Sequence, residues 1–134
     1  MVNRPPRFTT LRSLMWNANG VLSRKDELMH FLADQHIDVA FLCETHLNET
    51  QRFSVPNYRV YRSDRPTRGG GTALLIKNCI PHARVPHRDL RSLEETTVIV
   101  HGATGDLFLT SVYRPPGIVV FQPIHDGFGM QGGS

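Results

Sequence analysis

Five apolar residues, Val39-Ala40-Phe41-Leu42-Cys43, run directly into Glu44-Thr45-His46. A run that short, bounded by polar residues, reads as a buried strand more readily than a helix. Glu44 is then delivered to the strand's C-terminal edge, which is where ligands bind in α/β sheets. Taken alone, Glu44 is also readable as the first solvated residue after a strand. A second stretch repeats the design: Leu11-Arg12-Ser13-Leu14-Met15-Trp16 ends in Asn17-Ala18-Asn19-Gly20. One helix separates the two. Ser23 can cap it, and Asp26 and Glu27 sit in its first turn, where the helix dipole favours negative charge. Leu28, Phe31 and Leu32 are spaced as one apolar face, expected to be core, and the helix should end near Gln35-His36. Strand, helix and strand with short links make a βαβ unit with parallel strands. That unit brings Asn17, Asn19 and Glu44 to one edge. Taken alone, the two asparagines are more readily turn residues.

The remaining pattern is mostly strand. Tyr58-Arg59-Val60-Tyr61-Arg62 alternates as a half-buried strand does. Ser63 to Gly71 is a basic, glycine-rich loop. Arg59, Arg62, Arg65 and Arg68 fall within ten residues, either a phosphate-contacting surface or a solvated hairpin. The glycine run lacks the Gly-Lys-Ser/Thr of a P-loop. Thr72 to Lys77 is a strand; Asn78 to Leu93 is expected to be loop. Thr96 to His101 and Leu107 to Tyr113 flank Gly102-Ala103-Thr104-Gly105-Asp106, a hairpin signal. Domain limits follow: a loose leader over 1–10, a domain over 11–117, and a tail over 118–134 expected to be divergent and disordered.

The 134 residues suit one domain with a modest core. No apolar run approaches the roughly 20 residues of a membrane helix, so no membrane association is expected. No signal peptide is evident, which makes an intracellular site, nuclear or cytoplasmic rather than secreted, the default expectation. The two cysteines, Cys43 and Cys79, make no disulfide framework, and the seven histidines show no metal-ligand spacing. Net charge is +3, and arginine supplies 13 of the 15 basic residues. Arginine suits bidentate phosphate contact, but the mild excess does not demand nucleic acid.

Three blocks in order, Trp16-Asn17-Ala18-Asn19-Gly20, Leu42-Cys43-Glu44-Thr45-His46-Leu47 and Ser111-Val112-Tyr113-Arg114-Pro115-Pro116, resemble the endonuclease/exonuclease/phosphatase superfamily. The closest likeness is to the endonuclease domain of Jockey-type non-LTR retrotransposons, related to apurinic/apyrimidinic endonucleases. Gly70 to Asn78 also looks like the family's glycine-led strand. The resemblance implies an α/β fold, a sandwich of two β-sheets flanked by helices, of which this chain carries the N-terminal half. It implies that Glu44 binds the catalytic divalent metal, Mg²⁺ or Mn²⁺, with Asn19 beside it. It makes Asn17 an active-site asparagine and Tyr113 a contact to the scissile phosphate. No small-molecule cofactor is implied. The physics is consistent: phosphodiester hydrolysis needs a cation to offset developing charge, and Mg²⁺ binds through one or two carboxylates and water.

The family's later Gly-Asp-x-Asn and Ser-Asp-His blocks are not among these residues. The expectation is therefore a truncated endonuclease-like domain, DNA-nicking by descent and weak or inactive as it stands. The alternative is a non-catalytic fragment that binds nucleic acid or protein. DNA is the partner the family implies, and an uncovered sheet face would call for a protein partner. A reverse transcriptase would accompany such a domain in a retroelement.

Overall fold

The computed structural model describes residues 10–65, 69–86, 94–114 and 118–125. The chain forms β1 (Ser13–Asn17), a short 3₁₀ turn (Leu22–Arg24), α1 (Lys25–Asp34), β2 (Val39–Cys43), β3 (Tyr58–Ser63), β4 (Thr72–Lys77), β5 (His82–Arg84), β6 (Glu94–His101), β7 (Asp106–Arg114) and β8 (Ile118–His125). They make two four-stranded sheets, ordered β1-β2-β4-β3 and β5-β6-β7-β8. β1 and β2 are parallel, with Asn17 opposite Cys43, as a βαβ unit requires. The other pairings are antiparallel. Among the described residues, no helix is long and apolar enough to cross a membrane.

The alternation of β2 defines the layers. Ala40 and Leu42 join Leu28 and Leu32 of α1, Val21, Leu47, Phe53 and Leu75 in one apolar cluster. Val39 and Phe41 face the other way, joining Leu74, Ile76, Val98, Val100 and Leu109 between the sheets. The order is thus helix, sheet, sheet, with β2 buried along its whole length. This is the sandwich expected from the sequence. The sheets are also joined by polar contacts. Ser111 donates to the Leu42 carbonyl at 2.8 Å. Thr72 and Thr96 hydroxyls meet at 2.9 Å, and Ser63 donates to the Glu95 carbonyl at 2.7 Å.

Several local expectations are corrected. Ser23 does not cap α1; it lies in the 3₁₀ turn and donates to the Gly20 carbonyl at 3.2 Å, leaving Arg24 at the helix N-cap. α1 ends in a Schellman motif: Ile37 N–H reaches the Leu32 carbonyl at 3.0 Å and His36 N–H reaches Ala33 at 3.3 Å. His36 takes the left-handed position, φ 52°, that glycine usually fills. Phe31 is not core; it is 43% exposed at a groove lined by Leu14, Trp16, Glu27 and Leu28. The segment expected to be loop holds β5. The expected disorder of the tail is corrected over Ile118–His125, which forms the last strand of the second sheet. Its run of β-branched and aromatic residues explains that, and Pro123 is tolerated because β8 is an edge strand. Residues 126–134 lie outside the described residues, as does most of the 1–10 leader.

This layering predicts graded losses on substitution, measured by chemical denaturation. Leu42→Ala should lower unfolding free energy by about 2–5 kcal/mol, since its site is walled by both helix and strand side chains. Ser111→Ala should cost about 1 kcal/mol, the worth of one buried hydrogen bond.

Candidate active site

The site forms where β1, β2, β3 and β7 end and where β4 and β6 begin. Glu44 follows β2 with a left-handed φ of 51°, and His46 repeats that conformation at 58°. Backbone bonds hold this corner from both sides. Gly20 and Val21 N–H groups donate to the Glu44 and Thr45 carbonyls at 2.9 and 3.0 Å. Thr45 and His46 N–H groups donate to the Gly71 and Gly70 carbonyls at 3.4 and 2.9 Å. Gly71 is required there. Its φ is 91°, and a Cβ on it would fall 2.4 Å from the buried Thr45 hydroxyl.

The Asn17 side-chain amide donates to Glu44 Oε2, and the other oxygen, Oε1, lies 3.7 Å from His46 Nε2. Glu44 remains partly exposed, its side chain 25% accessible. Tyr113 comes from the second sheet, opposite Glu94 across the β6–β7 ladder, and is buried. Burial foremost, then the Glu44 charge, raises its hydroxyl above the usual tyrosine range; Glu94 and Cys43 add to this and Arg65 opposes it. Tyr113 is therefore a neutral hydrogen-bond donor at ordinary pH. The Cys43 thiol is pushed up to about 12 by burial and, secondarily, by Glu44. Both cysteines are unpaired thiols, in line with the sequence reading.

The structure thus brings Asn17, Glu44 and Tyr113 to one corner. Asn19 lies in the same turn, φ 46°, exposed, and its side chain has no hydrogen-bond partner among the described residues. The arginines divide. Arg62 is internally committed: it chelates Asp64 and donates to the Gln51 and Asn48 carbonyls at 2.8 and 2.7 Å. Arg65 pairs with Glu94 at 2.7 Å. Arg59 is exposed on β3, and Arg68 lies outside the described residues.

Sequence reasoning passed over Glu94. Its carboxylate accepts from Gly71 N–H at 2.9 Å and from Arg65 at 2.7 Å, fixing the glycine loop beside Glu44. The available signal was its place at the head of a strand pairing with the one that carries Tyr113. Among the described residues, no three His, Cys, Asp or Glu side chains converge as a metal cluster. A hard cation binds through one or two carboxylates and keeps several waters, and Glu44 offers one partly exposed carboxylate here.

Comparison with known proteins places the chain. The model of the Endonuclease/Exonuclease/phosphatase family matches residues 15–128, so the match extends through β8, a segment expected from the sequence to be foreign to it. The RNA-directed DNA polymerase from mobile element jockey of Drosophila melanogaster is 32% identical over 109 residues, covering 80% of this chain and 12% of that protein. The probable RNA-directed DNA polymerase from transposon X-element of the same species is 31% identical, covering 79% and 12%. The chain therefore spans about one eighth of the length of the curated relatives it matches. A structure of the 3′ phosphatase NExo from Neisseria bound to product DNA hairpin superposes with a TM-score of 0.50 at 15% identity, covering 74% of this chain and 40% of that one. That likeness concerns the fold. With the family match spanning most of its length, the chain belongs to the endonuclease/exonuclease/phosphatase family.

Proposed function

We propose that these residues form the metal- and phosphate-holding part of a Mg²⁺- or Mn²⁺-dependent DNA-nicking centre of the retrotransposon type. The observation that carries this reading is the meeting of Glu44, held by Asn17, with a neutral Tyr113 at one sandwich edge. The relatives named as mobile-element polymerases and the DNA-bound solved relative support it. In this reading a reverse transcriptase and the remaining family blocks belong to a longer polypeptide.

The roles follow from the chemistry of each group. Asn17 orients the Glu44 carboxylate without adding negative charge. Glu44, with Asn19 in the adjoining turn, would hold the cation, which when bound supplies charge neutralisation to the phosphate. Tyr113 donates its O–H to a phosphoryl oxygen, and its raised ionisation point keeps that proton in place. Glu94 and Arg65 position the Gly70-Gly71 loop that backs Glu44. None of these groups is an obvious base for the attacking water. Loss of general base catalysis typically costs about 10²–10⁴-fold, so the 134 residues alone should nick weakly or not at all.

Two measurements test the reading. Calorimetric titration with Mn²⁺ should show binding by the parent, weakened at least tenfold by Glu44→Gln. Any nicking of supercoiled plasmid DNA by the parent should vanish in Glu44→Ala. A parent that binds no divalent cation, or a Glu44→Ala chain that nicks as well as the parent, overturns the proposal.

Tyr113 gives a pH signature. Because its folded ionisation point is raised, the unfolded chain loses this proton first as pH climbs through about 10. Parent stability should then fall with increasing pH, and Tyr113→Phe should show a smaller alkaline loss in thermal melts. An identical alkaline profile for the two chains would contradict the buried, neutral assignment.

A further inference from the structure

A second charged feature lies outside the Glu44 corner, on the flank where the open edges of both sheets meet. β3 is the edge of one sheet and β5 the edge of the other. Tyr61 of β3 packs towards the inter-sheet core, and His82 of β5 closes over it edge-on, with ring centroids 5.4 Å apart. The His82 Nδ1–H donates to the Ile80 carbonyl at 2.7 Å. Its Nε2 is thereby left to accept the Tyr61 hydroxyl at 2.8 Å. His82 thus holds the tyrosine by its hydroxyl and by an edge contact to its ring.

Two guanidinium groups converge on that ring. Arg59, from β3 itself, and Arg84, from β5, each lie 5.9 Å from its centroid. Both residues are exposed, and among the described residues neither is paired with a carboxylate. Arg84 Nη2 also donates to the Arg62 carbonyl at 3.2 Å and reaches Ser63 Oγ at 3.5 Å, while its Nε and Nη1 donors have no hydrogen-bond acceptor among the described residues. Tyr61 therefore pre-orders two cations by cation–π attraction, one from each sheet. The flank continues towards the active corner, because Arg84 reaches Ser63 at 3.5 Å and Ser63 bonds the Glu95 carbonyl next to Glu94.

We propose that Arg59, Tyr61 and Arg84 form an auxiliary contact for a nucleic-acid phosphate backbone, distinct from the Glu44 corner. This rests on the nucleic-acid reading above and adds a surface to it. Arginine's planar fork matches phosphate oxygens, and contacts of this kind fix position on a strand without reading sequence. Charges scattered along an edge suffice to discourage strand pairing. Two guanidiniums from different sheets ordered on one ring are arranged for a ligand with more than one anionic group.

The test is fluorescence anisotropy of a labelled duplex oligonucleotide titrated at several salt concentrations. Arg59→Ala/Arg84→Ala should reduce the slope of log K against log salt by about two, near 0.9 for each lost phosphate contact. The loss should be equal across unrelated sequences. Arg59→Lys/Arg84→Lys should hold most of the slope. If the alanine pair melts below the parent, Arg59→Gln/Arg84→Gln is read instead and should show the same loss. A slope and affinity unchanged from the parent, or a parent with no salt-dependent binding, overturns the proposal. Mn²⁺ binding at Glu44, measured on the same variants, shows independently whether the active-corner reading stands.

Discussion

A strand with no exposed residue sets the terms for the rest of the structure. Val39–Cys43 is covered by α1 on one face and by the second sheet on the other. Water cannot satisfy its backbone groups, so they must be paired with other backbone, and β1 and β4 supply the partners. Glu44 is where this chain segment first meets solvent. The pairing does not stop there, because Gly20, Val21, Gly70 and Gly71 continue it around the turn. The carboxylate is thus mounted on backbone that is held on two sides, which favours a fixed rather than a mobile charge.

The corner is assembled across two sheets rather than within one. Asn17 and Glu44 come from the first, Tyr113 and Glu94 from the second. Their relative placement is set by sheet packing, and the Ser111–Leu42 bond ties the strand that carries Tyr113 to the strand that precedes Glu44. Glu94 crosses in the opposite sense, holding Gly71 and Arg65 of the first sheet from the head of β6. Sheet packing therefore sets how the Glu44 carboxylate and the neutral Tyr113 phenol stand relative to each other.

The parts of this fold legible in the sequence were those fixed by local patterning. The apolar run of β2 reads as a buried strand and that of β4 as a strand, and the abrupt polar exits of β1 and β2 point to the corner. What escaped was decided by particular contacts, some local and some distant in the chain. β5 has three residues, too few for any periodicity, and exists because β6 offers it an edge. Arg62 looked like a phosphate contact until Asp64 and two loop carbonyls took its donors. Ser23 looked like a helix cap because its spacing was right, yet a 3₁₀ turn displaced the helix start by one residue. Glu94 carried no motif at all; its meaning comes from Gly71, Arg65 and Tyr113, which are remote in the chain.

The burial of Cys43 has a practical side. The chain has two thiols, and one of them is held protonated well above physiological pH, so the thiolate needed for alkylation or oxidation scarcely forms there. Cys79 sits exposed in the turn after β4. A thiol-directed dye or spin label would therefore attach at one address, remote from the glycine loop in the register of β4, and would report on the native protein without prior removal of a cysteine.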